Sequence, residues 1–478
     1  MHLYTKILHP LSLVSENQEP YTCLTERHLQ AIWFEQKHLN TLLTADEEII
    51  EVISPGIWNG EAGPDFLKAH LRIGCKEYKG DIELHLNDEG WYAHRHHHDP
   101  RYNHVILHLS YERTSRPRPI IRQNGQEVLA LHLNASLKMP LDRIIKLINF
   151  ETYPYKKITR AGECAHWLFK SLEEKKIEAF FKSAALWRLE KKSAYLQYRV
   201  PGISLQLMLG IVMALGYKHN AEAFSELFEL LVTYRHLSEQ EIMAIAMGCS
   251  GFFDGRQSKQ WELSPVYRYW RCLWWEKQTQ IILQVNFRLD RVRPLNHPVR
   301  RLAYLVKLVL SPLPEELWGK MLTLWQLHCH WMESEKHALH LQKALMQLIP
   351  GYEDAYWNTH FTFEQEVQNR SLSLIGEDLK REMLINAFLP LLYTSLKEEA
   401  NPDEMQSFYQ FYSSFKSSGT SKTRYLNQRF FAESSHGHLL KSAQIEQGAY
   451  QLHTDFCLQF ESSCVGCPFI ERMQMEGI

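Results

Sequence analysis

The chain lacks any uninterrupted apolar run long enough to cross a bilayer, which takes about 18 residues or more. Its first twenty residues, MHLYTKILHPLSLVSENQEP, hold a weak apolar stretch that Pro10 breaks, with no small-residue cleavage site. These absences lead us to expect a cytoplasmic protein with no membrane partner. There is no excess of charge of either sign: 53 Lys and Arg stand against 55 Asp and Glu, a formal net charge of −2. Nothing therefore draws the chain as a whole to nucleic acid, and such a partner must be held by a local patch. No internal repeat of fixed period and no HExxH spacing occurs. A disulfide framework is also absent, because six of the nine cysteines (Cys23, Cys75, Cys164, Cys249, Cys272, Cys329) are scattered, as reduced thiols are. What remains is 478 residues, 45% apolar and 23% charged, with material for two or three globular cores.

Three regions separate on pattern. From about residue 20 to 150 one helix, TERHLQAIWFEQKHL with Leu29, Ile32, Trp33 and Leu39 on a stripe, precedes strand-like segments: EEIIEV, FLKAHLRI, GDIELHL, HVILHLSYE and VLALHL. Residues 165–412 read as helix almost throughout. Residues 413–478 hold a serine- and glycine-rich loop, SSFKSSGTSK, a last helix at about 438–456, and a cysteine cluster.

The stretch AGPDFLKAHLRIGCKEYKGDIELHLN, residues 62–87, carries acids in what reads as a pair of strands. Gly63-Pro64 breaks the chain just before Asp65, which places that acid at a strand start. A period of two puts Asp81, Glu83 and His85 on one face and Ile82, Leu84 and Leu86 on the other. Carboxylates brought together by adjacent strands repel one another unless a cation neutralises them, and oxygen donors of this kind suit Mg²⁺ or Mn²⁺. A solvated polar face on an antiparallel sheet fits the same pattern.

The order helix, strand, Pro-Asp at a strand start, hairpin, and then acid-x-basic resembles the PD-(D/E)xK nuclease superfamily. That resemblance implies metal held by Asp65 and Glu83, with Glu26 at the helix start as a further acid. His85 stands where the superfamily has lysine, and implies a neutral imidazole assisting the attacking water. Over nearly the whole chain, WNGEAGPDF, GDIELH, WYAHRHHHDPRYNHVILHL, NFRLDRVRPLNHPVRRLAYL, LINAFLPLLY and the terminal cysteines resemble the bacterial domain-of-unknown-function family numbered 2851. That family carries no functional implication.

Between residues 94 and 108 stand six histidines, His94, His96, His97, His98, His104 and His108. One or two of them beside the acids would orient water, bind phosphate or complete a zinc site; otherwise they are exposed on a loop, where Asp99-Pro100 starts a turn. At the C-terminus Cys457, Cys464 and Cys467 include a C-x2-C knuckle that suits zinc or an iron–sulfur cluster. Cys164 is the best fourth ligand, with His166 or His453 in reserve. Positive charge concentrates at Arg288, Arg291, Arg293, Arg300 and Arg301, around a helix that Pro298 opens. These arginines either bind phosphate or pair with acids of neighbouring helices.

The expectation is an α+β protein: a nuclease-like helix-plus-sheet domain, then a mostly α-helical domain closed by a C-terminal cysteine cluster. Its favoured function is metal-dependent hydrolysis of DNA or RNA. The alternatives are a non-catalytic nucleic-acid-binding or scaffold protein and a zinc hydrolase built on the histidine run.

Overall fold

A computed structural model of the chain describes residues 3–8, 24–44, 48–59, 62–114, 118–148, 150, 153, 160–217, 220–254, 259–287, 289, 292–311, 314–332, 334–364, 372–460, 464 and 466–477. The protein is mixed α+β, with an N-terminal mixed sheet and a helical C-terminal region. It divides into two compact units. The first joins Met1–Ala184 to Gly419–Leu440 and Glu446–Ile478; the second is Ala185–Ser418 with Lys441–Ile445. Residues 165–184 and most of the C-terminal tail cluster with the sheet, while residues 413–418 and Lys441–Ile445 fall in the second unit.

In the first unit a short helix, α1 (Leu3–Leu8), and the amphipathic helix α2 (Glu26–Glu35) precede the sheet. Helix α2 stops at Gln36, whose φ of 57° turns the chain left-handed, so Leu39 of the expected stripe lies beyond the helix yet stays buried in the same core. The strands are β1 (Leu42–Leu43), β2 (Ile49–Ser54), β3 (Ile57–Trp58), β4 (Phe66–Ile73), β5 (Lys76–Asn87), β6 (Val105–Glu112), β7 (Ile120–Ile121) and β8 (Glu127–His132). Their order is β1-β2-β4-β5-β6-β8-β7, with β3 on β4. All pairings are antiparallel except β5 with β6 and β6 with β8.

That switch positions the site. Antiparallel β4 and β5 need only a tight hairpin, but parallel β5 and β6 require a crossover, and residues 88–104 supply it. The histidine run is therefore a structural connection, built from α3 (Gly90–Ala93) and two 3₁₀ turns, His96–His98 and Pro100–Tyr102. Asp99 caps the second turn by accepting Arg101 N–H at 2.9 Å, as the Asp-Pro signal implies. Trp91, Tyr102, Val105, Ile120 and Val128 form a small apolar cluster that ties the crossover to the sheet. On the sheet, Leu29, Ile32 and Trp33 of α2 share a core with Phe66, Leu71, Ile82, Leu84, Leu107 and Leu109. Burying each such side chain contributes about 1.5–3 kcal/mol.

The second unit is helical around one large apolar core. Among the described residues no single helix is long and apolar enough to cross a membrane.

Candidate functional site

Asp65 is aimed by its local chain. Gly63 has φ 124°, and Asn59 holds the turn by donating its backbone N–H to Asp65 O at 2.7 Å and its side-chain amide to Pro64 O at 2.9 Å. Three residues on, a β-bulge puts Lys68 at φ 58°, with its N–H on Asp81 Oδ1 at 3.0 Å. Asp81 is thereby used to hold the bulge.

Asp65 and Glu83 interlock across β4 and β5. Asp65 N–H donates to Glu83 Oε2 at 3.0 Å, and Leu84 N–H donates to Asp65 Oδ2 at 3.0 Å. The helix side chain on Asp65 is Gln30, whose Nε2 donates to Oδ1 at 2.6 Å; Arg27 in turn donates to Gln30 Oε1 at 3.2 Å and fixes the amide's orientation. Glu26, proposed from the sequence, opens α2 one turn before Gln30.

Glu83 and His85 are 5% and 1% exposed, so this stretch of the face is covered rather than solvated. The cover is the crossover. His96 Nε2 lies 3.1 Å from Glu83 Oε1 and 3.2 Å from His85 Nε2, and His94 Nδ1 lies 3.1 Å from His85 Nε2. His85 Nε2 is 3.7 Å from Glu83 Oε1, while its Nδ1 meets His108 Nε2 at 2.8 Å. Gly90 makes the close approach of α3 possible: a Cβ there would stand 2.5 Å from His85 Cδ2. Behind His108, Asp88 accepts from Ser110 Oγ at 2.7 Å and pairs with His132 Nε2 at 3.1 Å.

Burial, followed by the facing imidazoles of His108, His96 and His94, holds His85 well below the usual imidazole range. Burial brings His96 down to about 4, with Asp99 opposing and Arg101 adding to the shift. His94 is lowered by burial and by His96, and burial lowers His108 to about 4 against the opposing charge of Asp88. The imidazoles are neutral at pH 7, so the His96–Glu83 contact is a hydrogen bond between a neutral ring and a carboxylate rather than an ion pair. Burial, Glu83 and Asp65 raise Tyr102, whose ring stacks on His96 at 3.9 Å. Of the six histidines in the run, His94, His98 and His104 are exposed and His96 and His108 are buried. The nitrogens of His85, His94 and His96 lie within 4.8 Å of one another and could hold a metal ion.

The four cysteines gather in the same unit around Arg429, which is 1% exposed and donates to the sulfurs of Cys464 and Cys457. Burial first, then Cys457 and Cys464, pushes the Cys164 thiol well above its usual range, with Arg429 opposing and Cys467 adding to the rise. Burial likewise pushes Cys457 up to about 12 and Cys467 up to about 11. The C-x2-C knuckle turns through Cys464 at φ 68° and Gly466 at φ 70°. Among the described residues, no three of these sulfurs approach one another within 4.8 Å as the imidazole nitrogens do.

The expected phosphate-binding arginines fail in their central pair. Arg300 is fully buried and donates to the carbonyls of Trp357 at 3.0 Å, Leu374 at 3.3 Å, Leu372 at 2.8 Å and Ser373 at 2.7 Å. Arg301, 3% exposed, donates to Leu374 O and to Asn296 Oδ1 at 2.9 Å. Both guanidiniums tie loops to the helix Pro298–Leu310 and have no face for a ligand. Arg293 is exposed, and Arg288 and Arg291 lie outside the described residues. Positive charge occurs instead beside the acids, where Lys68, His70, Lys79, Asp81 and His104 line an open cleft of about 600 Å³.

The family model described as protein of unknown function (DUF2851) matches residues 26–420, and the chain belongs to that family. No curated protein and no solved structure matches it.

Proposed function

We propose that this member of the DUF2851 family hydrolyses phosphodiester bonds of DNA or RNA with a divalent metal ion bound beside Glu83. The observation that carries the reading is the interlock of Asp65 and Glu83, two carboxylates brought together by adjacent strands, with Glu83 accepting Asp65 N–H and Asp65 accepting Leu84 N–H. An ion there would polarise a phosphoryl oxygen and lower the pKa of its bound water. The cleft with Lys68 and Lys79 supports an anionic substrate. By the alternation of β5, Lys79 and Asp81 share a face with Glu83 and His85, so the cleft continues the line of the site. The layout of α2, the β4–β5 hairpin and the parallel strand β6 supports a PD-(D/E)xK-like core, with His85 in the basic position.

A scaffold that has lost its chemistry is the second reading, favoured by histidine standing in place of lysine. Incubating the purified protein with single- and double-stranded DNA and RNA, with Mg²⁺, Mn²⁺ and Zn²⁺ in turn, separates the two. Cleavage that Asp65→Asn abolishes supports the enzyme, and inert protein with every ion supports the scaffold.

The same reading gives the four cysteines a structural metal centre, zinc or an iron–sulfur cluster, facing Arg429. Cys164, Cys457 and Cys467, kept protonated chiefly by burial, are groups from which a metal ion displaces protons, and the guanidinium then offsets the negative charge of the thiolates. Metal and sulfide analysis of protein purified without air tests this; a metal-free preparation with full stability would end it. Unpaired cysteines throughout the described chain fit a reducing compartment such as the cytoplasm.

A further inference from the structure

We infer that Glu83, His85, His94 and His96 form a site for a zinc-class ion, with three imidazole nitrogens and one carboxylate oxygen as donors, rather than an all-oxygen site for Mg²⁺. The inference goes beyond the cleavage reading and stands on the geometry alone. Metal–ligand bonds of about 2.0–2.2 Å arranged as a tetrahedron separate the ligand atoms by about 3.3–3.6 Å. Glu83 Oε1, His85 Nε2 and His96 Nε2 form a triangle with sides of 3.1, 3.2 and 3.7 Å, which straddle the edge length of such a tetrahedron and need shifts of only a few tenths of an ångström to form one of its faces. His94 Nδ1 adds a further edge of 3.1 Å through His85. Mg²⁺ takes oxygen ligands in near-ideal octahedra, whereas imidazole suits Zn²⁺, Ni²⁺, Cu²⁺ and Fe²⁺.

Proton counting points the same way. A neutral imidazole has one N–H and one lone pair. With the His85 proton on Nδ1, directed at His108, Nε2 offers a single lone pair, yet two ring nitrogens crowd it at 3.1 and 3.2 Å. An ion at their centre lets every one of these nitrogens present a lone pair. The outer contacts fit as well: His85 Nδ1 is engaged by His108 Nε2 at 2.8 Å, which leaves Nε2 to the site, and Asp65 N–H engages Glu83 Oε2, which leaves Oε1 to face inward. Asp65 stands outside the ligand set, with Gln30 and Leu84 N–H on its two oxygens. His94 is the exposed corner and the place where water or a substrate oxygen enters.

The test is a Co²⁺ titration of untagged, demetallated full-length protein. Four-coordinate Co²⁺ with nitrogen and oxygen donors gives intense visible bands without the near-ultraviolet charge-transfer band of thiolate ligands, so the histidine site reads out separately from the cysteines. We expect these bands in the wild type and in Asp65→Asn, their loss in His85→Ala and His96→Ala, and more than about tenfold weaker binding in His94→Ala. His94 is exposed, so its variant decides the question even where the buried ones fail to fold. Weak six-coordinate bands, unchanged affinity in His94→Ala, or loss of the bands in Asp65→Asn would each overturn the inference. Cleavage enters none of these readouts: an inert protein with the bands keeps the site and ends the nuclease reading, and Mg²⁺-driven cleavage without the bands does the reverse.

Discussion

Both units bury polar groups that ordinarily sit in water, and they resolve the cost in opposite ways. In the helical unit Arg300 and Arg301 aim their N–H groups at fixed backbone carbonyls of Trp357, Leu372, Ser373 and Leu374, so donor meets acceptor and nothing is left for a ligand. In the sheet unit, groups of one kind face each other: His85 meets His94, His96 and His108 at 2.8–3.2 Å. Buried polarity with complementary partners is structure. Buried polarity in which several ring nitrogens converge on one is an arrangement a cation completes, and that difference separates a candidate site from a well-made core.

The largest expected effect concerns the sheet unit alone. Asp65→Asn or Glu83→Gln should lower metal-dependent cleavage by roughly 10⁴-fold while circular dichroism keeps the native fold, with melting lowered only as far as one amide N–H turned against a donor requires. If both variants unfold instead, the pair is structural and the contrast between the units disappears. The complementary change is Arg300→Met, which takes the guanidinium donor from the carbonyls of Trp357, Leu372 and Ser373 and should cost about 3–5 kcal/mol in urea denaturation, with no change in nucleic-acid affinity of the folded fraction. Weaker binding at unchanged stability would restore the arginine to a phosphate role.

Acid acts on both units, since His96 and His108 of the sheet unit are held at about 4 by burial just as His297 of the helical unit is. Burial holds His297 at about 4 against an ordinary 6.5, and its ring caps the helix Pro298–Leu310 by accepting Val299 N–H at 3.3 Å. Between those values the unfolded chain binds the proton and the folded one resists it. The stability is therefore complete above pH 6.5 and is lost as the pH falls to about 4, by at most about 3 kcal/mol. Urea melts across this range should show the slope, and His297→Asn, which keeps an acceptor at the cap, should flatten it.

Smaller effects follow from the fit of the crossover and from the cleft. Gly90→Ala forces a Cβ against the His85 ring and should cost about 1–3 kcal/mol, together with weaker ion binding. Unchanged melting and ion affinity would mean that α3 lies further from His85 than 2.5 Å allows. Lys68→Ala and Lys79→Ala should each reduce the dependence of log affinity on log salt by about one unit per lost phosphate contact, whereas Arg301→Ala should leave that slope unchanged.

Periodicity by itself determined the elements. The spacing of Leu29, Ile32 and Trp33 made α2, the apolar runs made β4, β5, β6 and β8, and Gly63-Pro64 placed Asp65 at a strand start, because all of these depend on neighbours a few residues apart. The acids and His85 were legible for the same reason. Which histidines join them was not. His94, His96 and His108 read alike in the sequence, and only the parallel register of β5 and β6, with a crossover pinned through Trp91 and passing over Gly90, brings all three onto His85 and His96 onto Glu83 as well. Gln30 escaped notice because a neutral amide carries no charge signal, and its role exists only where α2 meets Asp65. Arg300 and Arg301 misled for the converse reason: a sequence records that a charge is present, while the packed chain alone decides whether that charge faces water or a row of carbonyls.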